Sequence, residues 1–340
     1  MKKKIIIALL VFVGAFATFY FLHDSKKETP MEYIYNDGPI FGSSYHIKYQ
    51  YTEDLHSQID TILKKYDESV SPYKPNSIVS RVNRNDSSVI LNKWFEDLFN
   101  EGMVVAKATD GAFDITVAPL VEAWGFSFKK KMDITKHTID SLKSLVDYRR
   151  VKILNNKVIK EDPRITVDCI SMGDGYASDI IADFLESKGV KNYMVEIGGE
   201  IKLKGLNSSN KIWTVGIDKP IDNIDSMSTD YQQIVAITNG ALSTSGNYRN
   251  FYYKDGKKYA HTIDPKSGYP VQHSLLSATI TAPTCIAADA YSTACMVIGL
   301  EKSLELIKQH SELEGYFIFS DANGKMATVC TNGFKKYLKE

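Results

Sequence analysis

Residues 260–270 read AHTIDPKSGYP, and this segment decides how we expect the chain to fold. His261, Asp264 and Ser267 follow one another in it at spacings of three. Pro265 and Gly268 favour a tight turn, because proline presets one backbone dihedral and glycine tolerates the left-handed region. The segment therefore predicts a loop that aims three polar side chains into one small volume.

Two flanking segments frame this loop. Upstream, residues 243–246 (STSG) lead into an aromatic run that reaches an Asp-Gly turn signal at 255–256, which predicts a β-hairpin. Downstream, residues 285–299 are apolar and rich in small residues, which predicts a buried helix. Asp289 and Thr293 lie four apart and therefore share one face of that helix. A pair of hard oxygen ligands on a buried helix suggests a Mg²⁺ site.

The residues alone leave a second interpretation open for these side chains. An aspartate in an alanine-rich helix is more often a hydrogen-bonded core residue than a metal ligand, since a buried carboxylate needs partners. A histidine beside aromatic strands is likewise often packed and satisfied. The functional interpretation of Asp289 and His261 gains weight because several such features converge within about fifty residues.

Residues further upstream predict a phosphate-binding junction. A strand over 165–170, a glycine-containing junction, a helix ending at Gly189 and a strand over 193–197 are expected in succession. Such a junction places backbone amides and a helix N-terminus where a phosphate can bind. The junction also nearly matches the dinucleotide-binding pattern, with Glu196 about twenty residues further on. That alternative is weak, because Ser178 replaces the third glycine and no succession of strand-helix-strand units follows.

The overall composition restricts the function classes. The chain has 340 residues, and its 41 basic and 41 acidic side chains give a formal net charge of zero, so nucleic acid is not an expected partner. An apolar content of 44% is ample for the packed core of one large domain or two. The four cysteines show no C-x-x-C pair and no zinc-finger spacing, so a disulfide framework is not expected.

The N-terminus predicts export. Three lysines precede an uncharged, mostly apolar run of eighteen residues, 5–22, which at about 1.5 Å per residue just spans a hydrocarbon core. An Ala-Phe-Ala sequence at 15–17 offers a rival cleavage site of a signal peptide. We favour an uncleaved anchor, because the run continues apolar past that site. Both alternatives place the rest of the chain outside the cytoplasm, and residues 23–32 form a polar linker.

The central stretch resembles a known enzyme family. Residues 243–270, followed by 287–294 (AADAYSTA), are similar to the ApbE-type FAD:protein FMN transferases. Four further segments agree in their order along the chain, namely 70–83, 109–126, 168–179 and 195–205. The resemblance implies an α+β fold, related to the T-fold, with mixed and antiparallel sheets flanked by helices and a central FAD cleft between two lobes. Residues 33–340 would form this single domain.

The resemblance also implies an activity. It predicts Mg²⁺-dependent transfer of FMN from FAD to a threonine or serine hydroxyl of an acceptor protein, with release of AMP. The acceptor would be a flavoprotein subunit of an extracytoplasmic electron-transfer system, met at the inner membrane. Two alternatives stay open: a Mg²⁺-dependent FAD pyrophosphatase with water as the nucleophile, and a non-catalytic FAD-binding protein. The presence of His261, Asp264, Asp289 and Thr293 argues against the last of these.

Roles for individual residues follow from the same resemblance. His261 is the leading candidate for the general base and Asp264 the second. Ser267 stands where the family usually has threonine, and we assign it phosphate binding or orientation. Two departures lie near the junction: Asp174 replaces a common lysine, and residues 170–171 (Ile-Ser) replace a glycine pair. These departures make a direct contact between lysine and phosphate unexpected here.

The remaining expected site residues bind the metal or the dinucleotide. Asp289, Thr293 and the backbone carbonyl of Gly173 are the expected Mg²⁺ ligands. The two glycines at 198–199 would let a planar ligand approach the backbone closely. The expected FAD-binding residues are Tyr73, Asn83, Phe113, Asp114, Gly198, Gly199, Glu200 and Ser245.

Overall fold

The structure, a computed structural model, describes residues 32–127, 132–221, 230–248, 250–254 and 256–339. The expected anchor or signal segment and nearly all of the polar linker lie outside these ranges. Within them, the helices are too short or too polar to cross a membrane.

An eight-stranded antiparallel sheet forms the centre of the fold. The strands in chain order are β1 (Tyr33–Ile40), β2 (Ser43–Gln50), β3 (Val151–Leu154), β4 (Lys157–Lys160), β5 (Tyr193–Ile197), β6 (Glu200–Lys204), β7 (Trp213–Asp218), β8 (Tyr231–Ile237), β9 (Asn239–Gly246), β10 (Phe251–Lys254), β11 (Lys257–Ala260), β12 (Leu275–Ala282), β13 (Glu314–Ser320) and β14 (Met326–Cys330). The sheet has the order β1-β2-β5-β6-β9-β12-β13-β14, and β3-β4, β7-β8 and β10-β11 form separate hairpins.

Helices flank this sheet. They are α1 (His56–Val70), α2 (Ile78–Asn83), α3 (Lys93–Ala108), α4 (Ala118–Ala123), α5 (Lys136–Lys143), α6 (Gly173–Ser187), α7 (Cys285–Ile298) and α8 (Leu300–Gln309). Helix α7 is the expected buried helix, since ten of its residues are buried. It packs between the sheet and helices α3 and α6.

The two faces of the sheet are covered differently. Neighbouring residues of a strand point to opposite faces. On β5, Val195 belongs to the larger core, which also contains the apolar residues of α6 and α7. On β6, Leu203 belongs to a second core with Trp213 and Val235 of the β7-β8 hairpin. Helices α6 and α7 therefore cover one face, and the hairpin covers the other.

Two of the expected features differ from the structure. Residues 165–169 form no strand, and 170–172 form a turn of 3-10 helix. Within the part of the chain that the structure describes, no neighbouring strand binds their backbone. Instead the Asn83 side chain donates to the Val167 carbonyl and accepts from the Val167 N–H, and the Asp168 N–H donates to the Ile115 carbonyl. Among the described strands all pairings are antiparallel, so the expected mixed character is wrong. The dinucleotide-binding alternative, which requires a parallel sheet, is excluded.

Candidate active site

A cavity of about 460 Å³, the active-site cavity, lies where α7, β9 and several loops meet. It brings together residues that are far apart in the sequence, and its wall also contains Phe126 and Asp174. The expected site residues that line it are Tyr73, Phe113, Asp114, Glu200, Ser245, His261, Asp289 and Thr293.

Asp289 is held where α6 and α7 cross. Its side chain is buried, and its Oδ2 accepts a hydrogen bond of 3.1 Å from the backbone N–H of Gly175. A Cβ on Gly175 would lie 2.6 Å from the Cys285 carbonyl oxygen and 2.8 Å from the Asp289 Cβ. The helices therefore touch through their backbones, and glycine alone permits this approach.

Thr293 lies one helical turn beyond Asp289 and faces β9. Its Oγ1 is 3.3 Å from the Ser245 Oγ and 3.4 Å from the Ser171 carbonyl oxygen, and both residues line the active-site cavity. The Gly173 carbonyl oxygen instead accepts a hydrogen bond of 2.9 Å from the Tyr66 hydroxyl. The carbonyl next to Thr293 is thus that of Ser171, not that of Gly173.

Acidic side chains cluster in the active-site cavity. Burial, followed by the nearby Glu200 and Asp174, raises the pKa of Asp289 well above its ordinary value. Burial and Glu196 raise the pKa of Asp174 to about 6. A bound cation would oppose both shifts, because it stabilises the ionised carboxylates. Within the described ranges, no three His, Cys, Asp or Glu side chains are placed to hold a metal ion, so hydroxyl, carbonyl or ligand oxygens would have to contribute.

His261 faces the active-site cavity with a defined tautomer. Its Nδ1 lies 3.2 Å from the Asn250 carbonyl oxygen, which can only accept, so Nδ1 carries the hydrogen and Nε2 is the basic nitrogen. The Phe126 ring packs edge to face against the imidazole at 6.4 Å. Burial lowers the pKa of His261. The neutral imidazole, which is the form that can accept a proton, therefore persists to lower pH than usual.

Asp264 and Ser267 direct their polar groups to the backbone of their own loop. The two carboxylate oxygens of Asp264 accept hydrogen bonds from the N–H groups of Lys266 at 2.9 Å and Ser267 at 3.2 Å. Ser267 is exposed, and its Oγ accepts from the Tyr269 N–H at 3.3 Å. Asp264 lines a separate cavity of about 390 Å³ beside Lys266. The expectation that His261, Asp264 and Ser267 share one small volume is wrong.

Two of the expected FAD-binding residues organise loops. Asp114 lines the active-site cavity, but its carboxylate also accepts hydrogen bonds from the Thr116 N–H at 2.7 Å and the Tyr148 N–H at 2.9 Å. Burial raises the pKa of Asp114. Asn83 donates to the Val167 carbonyl at 2.9 Å and accepts from the Val167 N–H at 2.8 Å. Asn83 therefore fixes the backbone segment that carries Ser171.

The glycine pair at 198–199 forms the two-residue turn between β5 and β6. Both residues have positive φ, 64° and 104°, a region that favours glycine. A Cβ on Gly198 would lie 2.3 Å from the Asp174 Oδ2, and the Gly199 N–H donates to Glu196 at 2.8 Å. Asp174 thus fills the space beside Gly198. The sequence had predicted that a planar ligand would approach the backbone there.

The sequence interpretation did not assign a site role to Asp168 or Ser171, which also line the active-site cavity. The Asp168 carboxylate accepts from the Ile170 N–H at 2.9 Å, and burial raises its pKa. The predicted strand over 165–170 placed Asp168 in a sheet, and Ser171 was considered only as part of the junction that follows. The local sequence gives no signal for a binding loop here, because residues 168–172 (DCISM) mix polar and large apolar side chains.

A further cavity adjoins the active-site cavity. It measures about 270 Å³, is lined by Phe41 and Tyr66 among others, and is named here the Tyr66 cavity. Tyr73, Ile170 and Asp174 line both cavities and form the wall that they share. The two spaces therefore lie side by side.

Comparison with known proteins identifies the family. The model of the ApbE family matches residues 41–317. The chain belongs to the ApbE family. A family member from Vibrio cholerae, named FAD:protein FMN transferase, is 32% identical over 323 residues, covering 92% of this chain and 95% of the relative. The Escherichia coli K12 protein of the same name is 34% identical over 296 residues, covering 84% and 82%.

Solved structures of the ApbE family have the same fold. The flavin transferase ApbE from Vibrio cholerae superimposes with a TM-score of 0.81 at 32% identity, covering 91% of this chain and 100% of that chain. The apo form of the Pseudomonas stutzeri flavinyl transferase ApbE gives a TM-score of 0.78 at 30% identity, covering 90% and 96%. The α+β fold with its large antiparallel sheet is therefore the ApbE fold.

Proposed function

We propose that this chain is an FAD:protein FMN transferase, which moves FMN from FAD to a threonine or serine hydroxyl of an acceptor protein and releases AMP. Membership of the ApbE family supports the reaction class. The observation that carries the proposal at residue level is that His261, Asp289 and Thr293 line one cavity. An imidazole base beside an acidic, cation-attracting wall suits attack of a hydroxyl group on a phosphate.

FAD would occupy the active-site cavity together with the adjoining Tyr66 cavity. The two cavities offer aromatic side chains on both sides of their shared wall, Phe113 and Phe126 in one and Phe41 and Tyr66 in the other. Planar rings can stack on such side chains. We therefore propose that FAD binds in a central cleft between two lobes.

The residues around Asp289 fit a magnesium ion. Asp289, Thr293 and the Ser171 carbonyl would hold it, since they are hard oxygen ligands and magnesium completes its shell with water and phosphate oxygens. Burial, followed by the nearby Glu200 and Asp174, raises the pKa of Asp289, and a cation would oppose this shift by stabilising the ionised carboxylate. When bound, the ion would withdraw charge from the pyrophosphate.

His261 would accept the proton of the acceptor hydroxyl on Nε2, because Nδ1 is engaged by the Asn250 carbonyl. The hydroxyl oxygen forms a bond to the phosphorus on the FMN side of the pyrophosphate. The bond between that phosphorus and the bridging oxygen breaks, and AMP leaves with its electron pair. The products are a phosphoester-linked flavin and AMP.

The location and the partner also belong to the proposal. The apolar run 5–22 behind three lysines supports export, with retention at the inner membrane or release by signal cleavage. A flavoprotein subunit of an extracytoplasmic electron-transfer system would then be the acceptor within reach of the enzyme.

A flavinylation assay tests the proposal. The full chain is incubated with FAD, Mg²⁺ and a candidate acceptor, the acceptor is viewed on a denaturing gel under ultraviolet light, and nucleotides are separated by chromatography. We expect a fluorescent acceptor band and an equal amount of AMP, both lost in Asp289→Ala. Free FMN and AMP without a labelled acceptor would identify FAD hydrolysis instead.

A further inference from the structure

The N-terminus of α7 is capped by another helix. Thr284 occupies the N-cap position without forming a side-chain cap hydrogen bond. Instead Asp179 of α6 accepts from the Cys285 N–H through Oδ1 and from the Ile286 N–H through Oδ2, both at 2.9 Å. A carboxylate at this place satisfies two donors that a helix leaves unpaired, and it interacts favourably with the positive end of the helix dipole.

Lys202 of β6 completes this cap. Its Nζ lies 3.4 Å from the Asp179 Oδ1 and donates to the Pro283 carbonyl at 2.5 Å, just before α7 begins. Asp179 is buried, and burial raises its pKa, while Lys202 and the two backbone amides act in the other direction. The cap therefore ties together α6, α7 and the strand that carries Glu200.

The cap and the Asp289 contact are in register. Asp179 lies four residues after Gly175 on α6, and Asp289 lies four residues after Cys285 on α7. Asp179 binds the first turn of α7, and Gly175 binds Asp289 one turn further on. The two helices are thus fastened at two points about 6 Å apart along their axes, the rise of four helical residues.

We infer that Asp179 is a positioning residue for the proposed cation site, because it sets where α7 lies along α6 and so where Asp289 and Thr293 present their oxygens. The inference rests on the metal site of the proposed function, but it involves neither FAD nor the acceptor. Loss of a group that orients metal ligands typically weakens metal affinity. A cap that served only stability would lower the melting temperature and leave metal affinity unchanged.

The test measures the binding of Mn²⁺ alone to the full chain in detergent, from the electron paramagnetic resonance signal of the free ion. Asp179→Ala removes both acceptors, and we expect it to raise the Kd about tenfold. Asp179→Asn keeps one oxygen, and we expect an increase of about threefold. The control is Thr135→Ala, which removes the cap that binds the Thr138 N–H at 3.1 Å on α5, and it should leave the Kd unchanged.

The same titration on Asp289→Ala separates this inference from the proposed function. Binding that is lost in Asp289→Ala but equal to wild type in both Asp179 variants would overturn the positioning role and leave the metal site intact. Binding that Asp289→Ala does not weaken, or no binding by the wild type, would overturn both. Circular dichroism checks each variant for folding, and if Asp179→Ala does not fold, the Asn variant decides.

Discussion

Two parts of the active-site wall are built in different ways. Where α7 meets α6 and β9, Asp289 and Thr293 are held by contacts between regular elements. In the 260–270 loop, Asp264 and Ser267 use their polar atoms to bind the turn's own backbone, and His261 alone of the three faces the active-site cavity. Residues four apart on a helix share a face, whereas spacing within a turn does not set direction. Sequence spacing therefore predicts which side chains face one cavity when they lie on a helix, but not when they lie in a turn.

The strongest test of this comparison removes the helical carboxylate. We expect Asp289→Ala to lower kcat/KM about 10³-fold, because the site would lose its buried anionic ligand. Circular dichroism should show a retained fold. Asp140→Ala, on the exposed side of α5, is the matched control and should keep full activity. Full activity of the Asp289 variant in chelator-treated buffer would contradict the metal assignment.

Replacing the loop histidine should have the next largest effect. We expect His261→Asn to lower turnover about 100-fold, because the hydroxyl would lose its proton acceptor, while FAD affinity measured by fluorescence quenching stays the same. His137→Asn on α5 controls for loss of a surface imidazole. Unchanged turnover in His261→Asn would show that the imidazole is not the base. The base role would then pass to Asp264.

The pH dependence sharpens the same assignment. Burial lowers the pKa of His261, so the proton-accepting form should dominate at neutral pH. We expect kcat/KM to rise with pH and to become level at higher pH. The midpoint of the rise should lie below about 6.5, the ordinary pKa of histidine. This acid limb should be missing from the residual activity of His261→Asn. A midpoint above the ordinary value would mean that the imidazole is stabilised as a cation, against its burial.

A smaller effect is expected from a change that loosens the segment carrying Ser171. Asn83→Ala removes both hydrogen bonds to Val167, and we expect it to lower the free energy of unfolding by about 1 to 3 kcal/mol and turnover about tenfold. Asn92→Ala, which removes the cap of α3 at the Phe95 N–H, should reduce stability by about 1 kcal/mol and spare turnover of the folded enzyme. Equal turnover in both variants would show that Asn83 serves stability alone.

The smallest effect is expected at Ser267. Its hydroxyl is exposed and accepts a hydrogen bond of 3.3 Å from the Tyr269 N–H, so Ser267→Ala should change stability by less than about 0.5 kcal/mol and turnover by less than about twofold. Steady-state kinetics of this variant check the prediction. A tenfold or larger loss of turnover would support the phosphate-binding role expected from the sequence.

The regular elements could be predicted from the sequence, and the irregular segment before α6 could not. The apolar run at 285–299 gave α7 within one residue, and β10 and β11 pair on either side of residues 255–256 as expected. The segment 165–169 has the composition of a strand, but its backbone partners are Asn83 and Ile115, distant in the chain. No local pattern encodes such partners, so Asp168 and Ser171 were not recognised as part of the wall.

The contact between Gly198 and Asp174 has an evolutionary consequence. Because the carboxylate fills the space that a side chain at position 198 would need, mutations at the two positions should show epistasis. A shorter residue at 174 would remove the collision while the positive φ at 198 still disfavoured any side chain. Glycine should therefore remain favoured at position 198 even in lineages where residue 174 becomes smaller.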